Sequence, residues 1–203
     1  TTETLDEMAA FAGLKDQIAE ITRRSMNGEL DFRAALIERV GMLKGLDESA
    51  LERTWAATEI TPGAQALVAT MRANGGYALL VSGGFTDFTG PVAERLGFHE
   101  NRANTLLMDG GVLSGQVAMP ILGREAKVEA LNEVTERLGI TPADAIAVGD
   151  GANDLGMLQL AGTGVALHAK PAVAEQASIR INHGDLTALL YLQGYRAAEF
   201  VTP

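Results

Sequence analysis

The chain has 203 residues with 16 Lys+Arg against 26 Asp+Glu, a formal net charge of −10, which argues against a nucleic-acid binder because neutralising phosphates takes a basic face. Hydrophobic residues make up 47% and charged residues 21%, a globular rather than a disordered composition, and the length fits one domain or one domain with a modest insert. The absence of cysteine excludes disulfides, Cys-ligated zinc and thiol catalysis, and no apolar run approaches the ~20 residues of a membrane span.

From Thr4 to about Ala57 apolar residues recur at helical spacing: Leu5, Met8, Ala9 and Ala12, then Ile18, Ile21 and Met26, then Ala35, Leu36, Val40 and Leu43. Gly13, the Asn27-Gly28 pair with Asp31 beyond it, and Gly45-Leu46-Asp47 supply breaks and N-caps, so four helices are predicted, with Trp55, Met8 and Met26 packing them. After Thr61-Pro62-Gly63 a helix over 64–73 leads into Tyr77-Ala-Leu-Leu-Val81, a run apolar on both faces that suits a strand buried in a parallel sheet. Further strands are predicted at Ala145–Val148, Gly164–Leu167 and Ile179–Ile181. Helices are predicted at Asp87–Leu96, Arg124–Leu138, Asp154–Leu160, Pro171–Ala177 and Leu186–Leu192. This alternation implies an α/β fold, and Asp109-Gly110 between two short apolar segments predicts a β-hairpin over 105–117.

Ligands collect beyond the carboxyl ends of strands in open α/β sheets, where Ser82-Gly83-Gly84 and Gly149-Asp-Gly-Ala-Asn-Asp154 fall. Glycine backbone, a serine hydroxyl and a following helix N-terminus can cradle a phosphate, while a strand-to-helix turn needing glycine for positive φ also accounts for the first motif. In the second motif, Asp150, Asn153 and Asp154 crowd hard oxygens into one loop, which suits Mg²⁺ held by one or two carboxylates plus substrate and water. The alternative is that Asp154 N-caps the next helix. Lys127, between Ala126 and Val128, reads by itself as a surface ammonium, and His99, His168 and His183 show no ligand spacing.

Taken in order, Val81-Ser-Gly-Gly-Phe85, Ala126-Lys127 and Val148-Gly-Asp-Gly-Ala-Asn-Asp154 resemble motifs two, three and four of the haloacid-dehalogenase superfamily of phosphatases. Glu3-Thr-Leu-Asp-Glu7, Met26-Asn-Gly-Glu-Leu-Asp-Phe32, Glu38-Arg-Val40 and Ala169-Lys-Pro171 are similar to the members that hydrolyse O-phospho-L-serine. The resemblance implies a parallel Rossmann-like sheet flanked by helices, with a small helical-bundle cap and a β-hairpin. It puts the phosphatase core at 1–12 and 61–203 and the cap at 13–60, with a hinge at Thr61-Pro62-Gly63. It implies that Ser82 and Gly83 hold the phosphoryl group, Lys127 neutralises its charge, Asp150 ligates Mg²⁺ and Asp154 sits beside it. Glu3 and Arg39 would read the ammonium and carboxylate of the substrate, Met26 would press on it, and Asn153 would bind phosphate or substrate. By composition, Arg39 is equally a helix-surface ion-pair residue and Glu3 a first-turn acid.

In the family, an Asp-x-Asp-x-Thr motif a few residues before Glu3 supplies the nucleophile that becomes an aspartyl-phosphate and the acid/base aspartate. This sequence has none, so an upstream segment is expected to carry it, and the two strands flanking its strand are expected to show unpaired edges. The activity implied is Mg²⁺-dependent release of L-serine and phosphate in the last step of serine biosynthesis, in the cytoplasm, by a chain for which a homodimer is open. The alternatives are a phosphatase or phosphotransferase for another small phosphomonoester, or a non-catalytic relative that binds phosphate or an amino acid.

Overall fold

A computed structural model describes residues 4–26 and 29–201; Glu3, Asn27 and Gly28 lie outside the described residues, as does the Met26 side chain. The described helices of the first 60 residues are α1 (Thr4–Phe11), α2 (Lys15–Met26), α3 (Phe32–Met42) and α4 (Ser49–Ala56), at the positions their periodicity predicts. Asp31 caps α3 by accepting from the N–H groups of Arg33 and Ala34 at 2.9 and 3.2 Å. Then follow α5 (Ala64–Ala73), β1 (Leu79–Phe85), α6 (Thr86–Leu96), β2 (Glu100–Asn104), β3 (Leu106–Asp109), β4 (Val112–Val117), α7 (Glu125–Arg137), β5 (Ile146–Gly149), α8 (Leu155–Leu160), β6 (Thr163–Leu167), α9 (Pro171–Ala174), β7 (Ile179–Ile181) and α10 (Ala188–Leu192).

Two elements depart from the sequence reading. Strand β1 does not stop at Val81 but runs through Ser82-Gly83-Gly84 to Phe85, and its partner β2 carries no apolar run at all. In β2 the side-chain alternation puts Glu100 and Arg102 on one face, where they form an ion pair at 2.6 Å, so a polar strand is satisfied from within.

The chain forms two compact units. One comprises Thr1–Ile60, Ser82–Arg95 and Glu100–Ile121; the other comprises Thr61–Val81, Leu96–His99 and Leu122–Pro203. They cut the chain differently from the core and cap boundaries implied by the family, and the reason lies in the packing. A single apolar cluster joins Leu5 and Met8 of α1, Ile18 of α2 and Leu36 and Val40 of α3 to Phe85, Phe88, Leu106, Leu113 and Ile121. Trp55 packs at its margin and Met8 is fully buried within it, as the helical spacing suggests. The hairpin β3–β4 turns at Gly110-Gly111, just past the predicted Asp109, and is antiparallel, with Met108 opposite Leu113 and a register shift before it. The outer edge of β4 binds the segment after α3, with Leu113 N–H donating to Leu46 O and Gly45 N–H to Leu113 O, both at 2.8 Å. The glycine break at Gly45 thus also feeds a strand-like contact.

In the second unit β5, β6 and β7 form a parallel sheet, Val148 standing opposite Val165 and Val165 opposite Ile179. Strands β1 and β5 each end their sheets, and among the described residues no strand pairs with their second edges. At the Thr61-Pro62-Gly63 segment, Leu186 N–H donates to Pro62 O at 3.2 Å. Asp185 accepts from the Thr187 hydroxyl at 2.5 Å and its N–H at 2.8 Å, and these bonds hold its carboxyl below the usual range.

Candidate functional site

The loop from β5 into α8 is built around Asp154. This residue is 3% exposed and its carboxylate is fully engaged: Oδ2 accepts from the N–H groups of Asp150 at 3.0 Å and Gly151 at 2.9 Å, and Oδ1 pairs with Nζ of Lys127. The Asp154 carboxylate therefore does not cap α8; it turns back to brace the loop that precedes it. Lys127 comes from the first turns of α7, and its side chain is only 12% exposed, so it is not the solvated surface ammonium its local sequence suggests. A charge-assisted bond between groups so buried is strong, and removing either partner leaves the other's charge buried without compensation.

Gly149 makes this loop possible without any unusual φ. A Cβ added to it would collide with Cβ and Cγ of Asp154, the near end of the side chain rather than a flexible tip. Gly149→Ala should therefore cost about 1–3 kcal/mol of stability through overpacking, read as a lower midpoint in thermal or urea unfolding. An unchanged midpoint would show that Asp154 can retreat from the loop.

With Asp154 consumed internally, Asp150 is the exposed carboxylate of the loop, with no side-chain partner among the described residues. Its backbone is held from the other side by Lys170 N–H, which donates to Asp150 O at 3.1 Å. Asn153 is exposed on the same loop. One free hard-oxygen ligand fits Mg²⁺, which is commonly held by one or two carboxylates with the rest of its octahedron from water and substrate. Among the described residues no three His, Cys, Asp or Glu side chains cluster as a complete metal site.

Ser82 and Gly83 belong to the other compact unit. They lie within strand β1, and neither Gly83 nor Gly84 has positive φ, so the turn explanation for these glycines fails. Instead Ser82 Oγ accepts from Gly84 N–H at 3.0 Å, and Gly83 O accepts from Nδ2 of Asn104 at 2.9 Å. Asn104, 2% exposed at the end of β2, is a supporting residue that the sequence did not reveal, since a buried amide in a polar run carries no periodic signal. A Cβ on Gly83 would reach only ordinary contact with the Phe32 ring at 3.5 Å.

Arg39 is not a surface residue. It is 6% exposed on α3, with Nε donating to Ala35 O and Nη1 to the Thr22 hydroxyl of α2, both at 3.2 Å. A guanidinium carries a fixed fork of N–H donors and a permanent charge, which are the properties an anion reader needs. The three histidines serve locally: His99 stacks on Tyr77 with ring centroids 4.6 Å apart and accepts from Ala78 N–H at Nδ1, His168 binds Gly184 O at 2.9 Å, and His183 is exposed.

Comparison with known proteins matches residues 2–159 to the family described as haloacid dehalogenase-like hydrolase. A phosphoserine phosphatase of Streptomyces coelicolor is 42% identical over 197 residues, which is 97% of this chain but 48% of the relative, so the chain spans about half of that protein. One from Albidiferax ferrireducens is 45% identical over 196 residues, covering 94% of this chain and 83% of the relative. A solved substrate-bound phosphoserine phosphatase complex superposes with a TM-score of 0.86 at 36% identity, covering 94% of this chain and 90% of that one.

Proposed function

The chain belongs to the haloacid dehalogenase-like hydrolases, and on that premise we propose that it serves the Mg²⁺-dependent hydrolysis of O-phospho-L-serine to L-serine and phosphate. The observation that carries this reading is the buried Lys127–Asp154 pair bracing the loop that presents Asp150, in a chain 45% identical to a phosphoserine phosphatase. A helix-surface lysine in a mere turn would have no reason to be buried against that carboxylate.

In this reading each residue has one task. Lys127 neutralises charge on the phosphoryl group, where a fixed cation in a poorly solvated site acts most strongly. The Ser82 hydroxyl and Gly83 N–H donate to phosphoryl oxygens, and Asn153 adds an amide donor. Arg39 reads the substrate carboxylate and Glu3 its ammonium, with Met26 against the aliphatic part. Mg²⁺, held in part by Asp150, supplies further charge neutralisation when bound. The Asp-x-Asp-x-Thr motif that carries the family's nucleophile is not in this sequence. The core of 1–12 and 61–203, the cap of 13–60, a place at the end of serine biosynthesis, a cytoplasmic site of action and self-association complete the reading.

The experiment is phosphate release from O-phospho-L-serine with and without Mg²⁺, run beside an intact-mass measurement on the natural protein. Mg²⁺-dependent turnover supports the reading; phosphate and Mg²⁺ binding without turnover by a protein of confirmed mass overturns it in favour of a binding relative. The substrate is tested separately by Arg39→Ala. Loss of a buried, charge-assisted carboxylate contact should cut kcat/KM for phosphoserine about 10- to 100-fold while leaving a generic aryl phosphate largely unaffected. Equal losses on both substrates would show that Arg39 does not read the carboxylate.

A further inference from the structure

A guanidinium stands at the end of a long side chain rich in rotamers, so whatever fixes its plane decides which anion geometry it can meet. In Arg39 two bonds from different helices do this. Nε donates to Ala35 O, one turn back in α3, at 3.2 Å. Nη1 crosses to the Thr22 hydroxyl of α2, also at 3.2 Å and 17 residues away in sequence. A planar group held at two of its nitrogens has lost the freedom to swing about its own stem.

The Thr22 hydroxyl is itself set in place. Its Oγ1 donates to Ile18 O at 3.0 Å, which commits its one hydrogen to the backbone of α2 and leaves its lone pairs for Arg39. Threonine in a helix makes this backward bond readily, and its branched Cβ narrows the rotamers open to it. The chain of bonds therefore runs from Arg39 through Thr22 to the carbonyl of Ile18, a fully buried residue of α2. Both oxygens that hold the guanidinium, of Ala35 and of Thr22, are neutral. A carboxylate in either place would orient the group but also answer its charge, whereas these two bonds orient it and leave the charge to act on an anion.

We propose that Thr22 is a positioning residue for substrate specificity, holding Arg39 at the angle at which its guanidinium meets the substrate carboxylate and acting through Arg39 rather than on the substrate. The proposal rests on the reading of Arg39 as the residue that recognises that carboxylate. Its effect is confined to substrates that carry one. The carboxylate takes no part in phosphoryl transfer, so its contact is alike in the ground and transition states, and loosening it raises KM while leaving kcat.

The test sets Thr22→Val beside Thr22→Ser in the natural protein, each assayed on O-phospho-L-serine and on the generic aryl phosphate. Valine keeps the branching and shape of threonine but removes the acceptor, and serine keeps the acceptor. Thr22→Val should raise KM for phosphoserine about 3- to 10-fold, the worth of one hydrogen bond, with kcat and the aryl phosphate little changed. Thr22→Ser should stay near the natural protein, and Thr22→Val should add nothing to Arg39→Ala. Both substrates are measured on one preparation, so any loss of folded protein cancels from the ratio of their kcat/KM values. Equal losses on both substrates, a loss that serine does not rescue, or effects of Thr22→Val and Arg39→Ala that simply add would overturn the proposal. If Arg39→Ala is itself unselective, the reading of Arg39 fails and the proposal with it; if Arg39→Ala is selective and Thr22→Val is not, the proposal alone fails.

Discussion

Asp154→Ala is expected to lower the unfolding free energy by about 3–5 kcal/mol, the cost typical of removing one partner from a buried ion pair. The size follows from how completely the carboxylate is used. Its loss strands the ammonium of Lys127 at 12% side-chain exposure and leaves the N–H groups of Asp150 and Gly151 without their acceptor. Asp154→Asn should be nearly as damaging, because the amide cannot neutralise Lys127 and offers one acceptor atom in place of two. Lys127→Met should cost less, since Asp154 keeps both N–H donors and the methionine stem fills the space of the lysine chain. Urea titrations with an unchanged m-value are the measurement. If Asp154→Ala cost less than Lys127→Met, the bracing role assigned to the carboxylate would be wrong.

Lys127→Ala should lower kcat for phosphoserine hydrolysis by about 10²–10³-fold, the range found when one preorganised charge-stabilising donor is removed from a reacting group. The effect should appear in kcat and kcat/KM together, because the developing charge on the transferring phosphoryl oxygens is what the cation answers. Circular dichroism of the variant separates this from unfolding, and the milder Lys127→Met provides a second sample with the same missing charge. A rise confined to KM would make Lys127 a ground-state binder, and no change at all would remove it from the reaction.

Elements whose side chains repeat with a clear period were legible from sequence. The apolar spacing of Leu36, Val40 and Leu43, with Asp31 as cap, marks α3 without help from tertiary structure, and Asp109-Gly110 marks the hairpin. Strand β2 escaped because Glu100-Asn-Arg-Ala-Asn104 has no apolar face; its pairing is supported by the Glu100–Arg102 ion pair and the buried amide of Asn104. The end of β1 escaped because Ser-Gly-Gly looks like a turn, although its backbone stays extended.

The site was legible in part for a similar reason. Asp150 and Asn153 announce themselves by crowding one loop, but the meeting of Lys127 with Asp154, 27 residues on, is a tertiary fact that only family resemblance could suggest. Arg39 shows the reverse error. Its burial depends on Thr22 and Ala35 of neighbouring helical turns, which no reading of Glu38-Arg-Val40 alone could supply.

The apolar cluster that holds the four helices draws on three separate stretches of chain, with Phe85, Phe88, Leu106, Leu113 and Ile121 contributed from beyond residue 60. Those helices are consequently not a portable module. Grafting residues 13–60 onto a related phosphatase would transplant one half of an interior and leave the other behind, so recombination among such proteins should succeed where the crossover carries the hairpin along and fail where it does not.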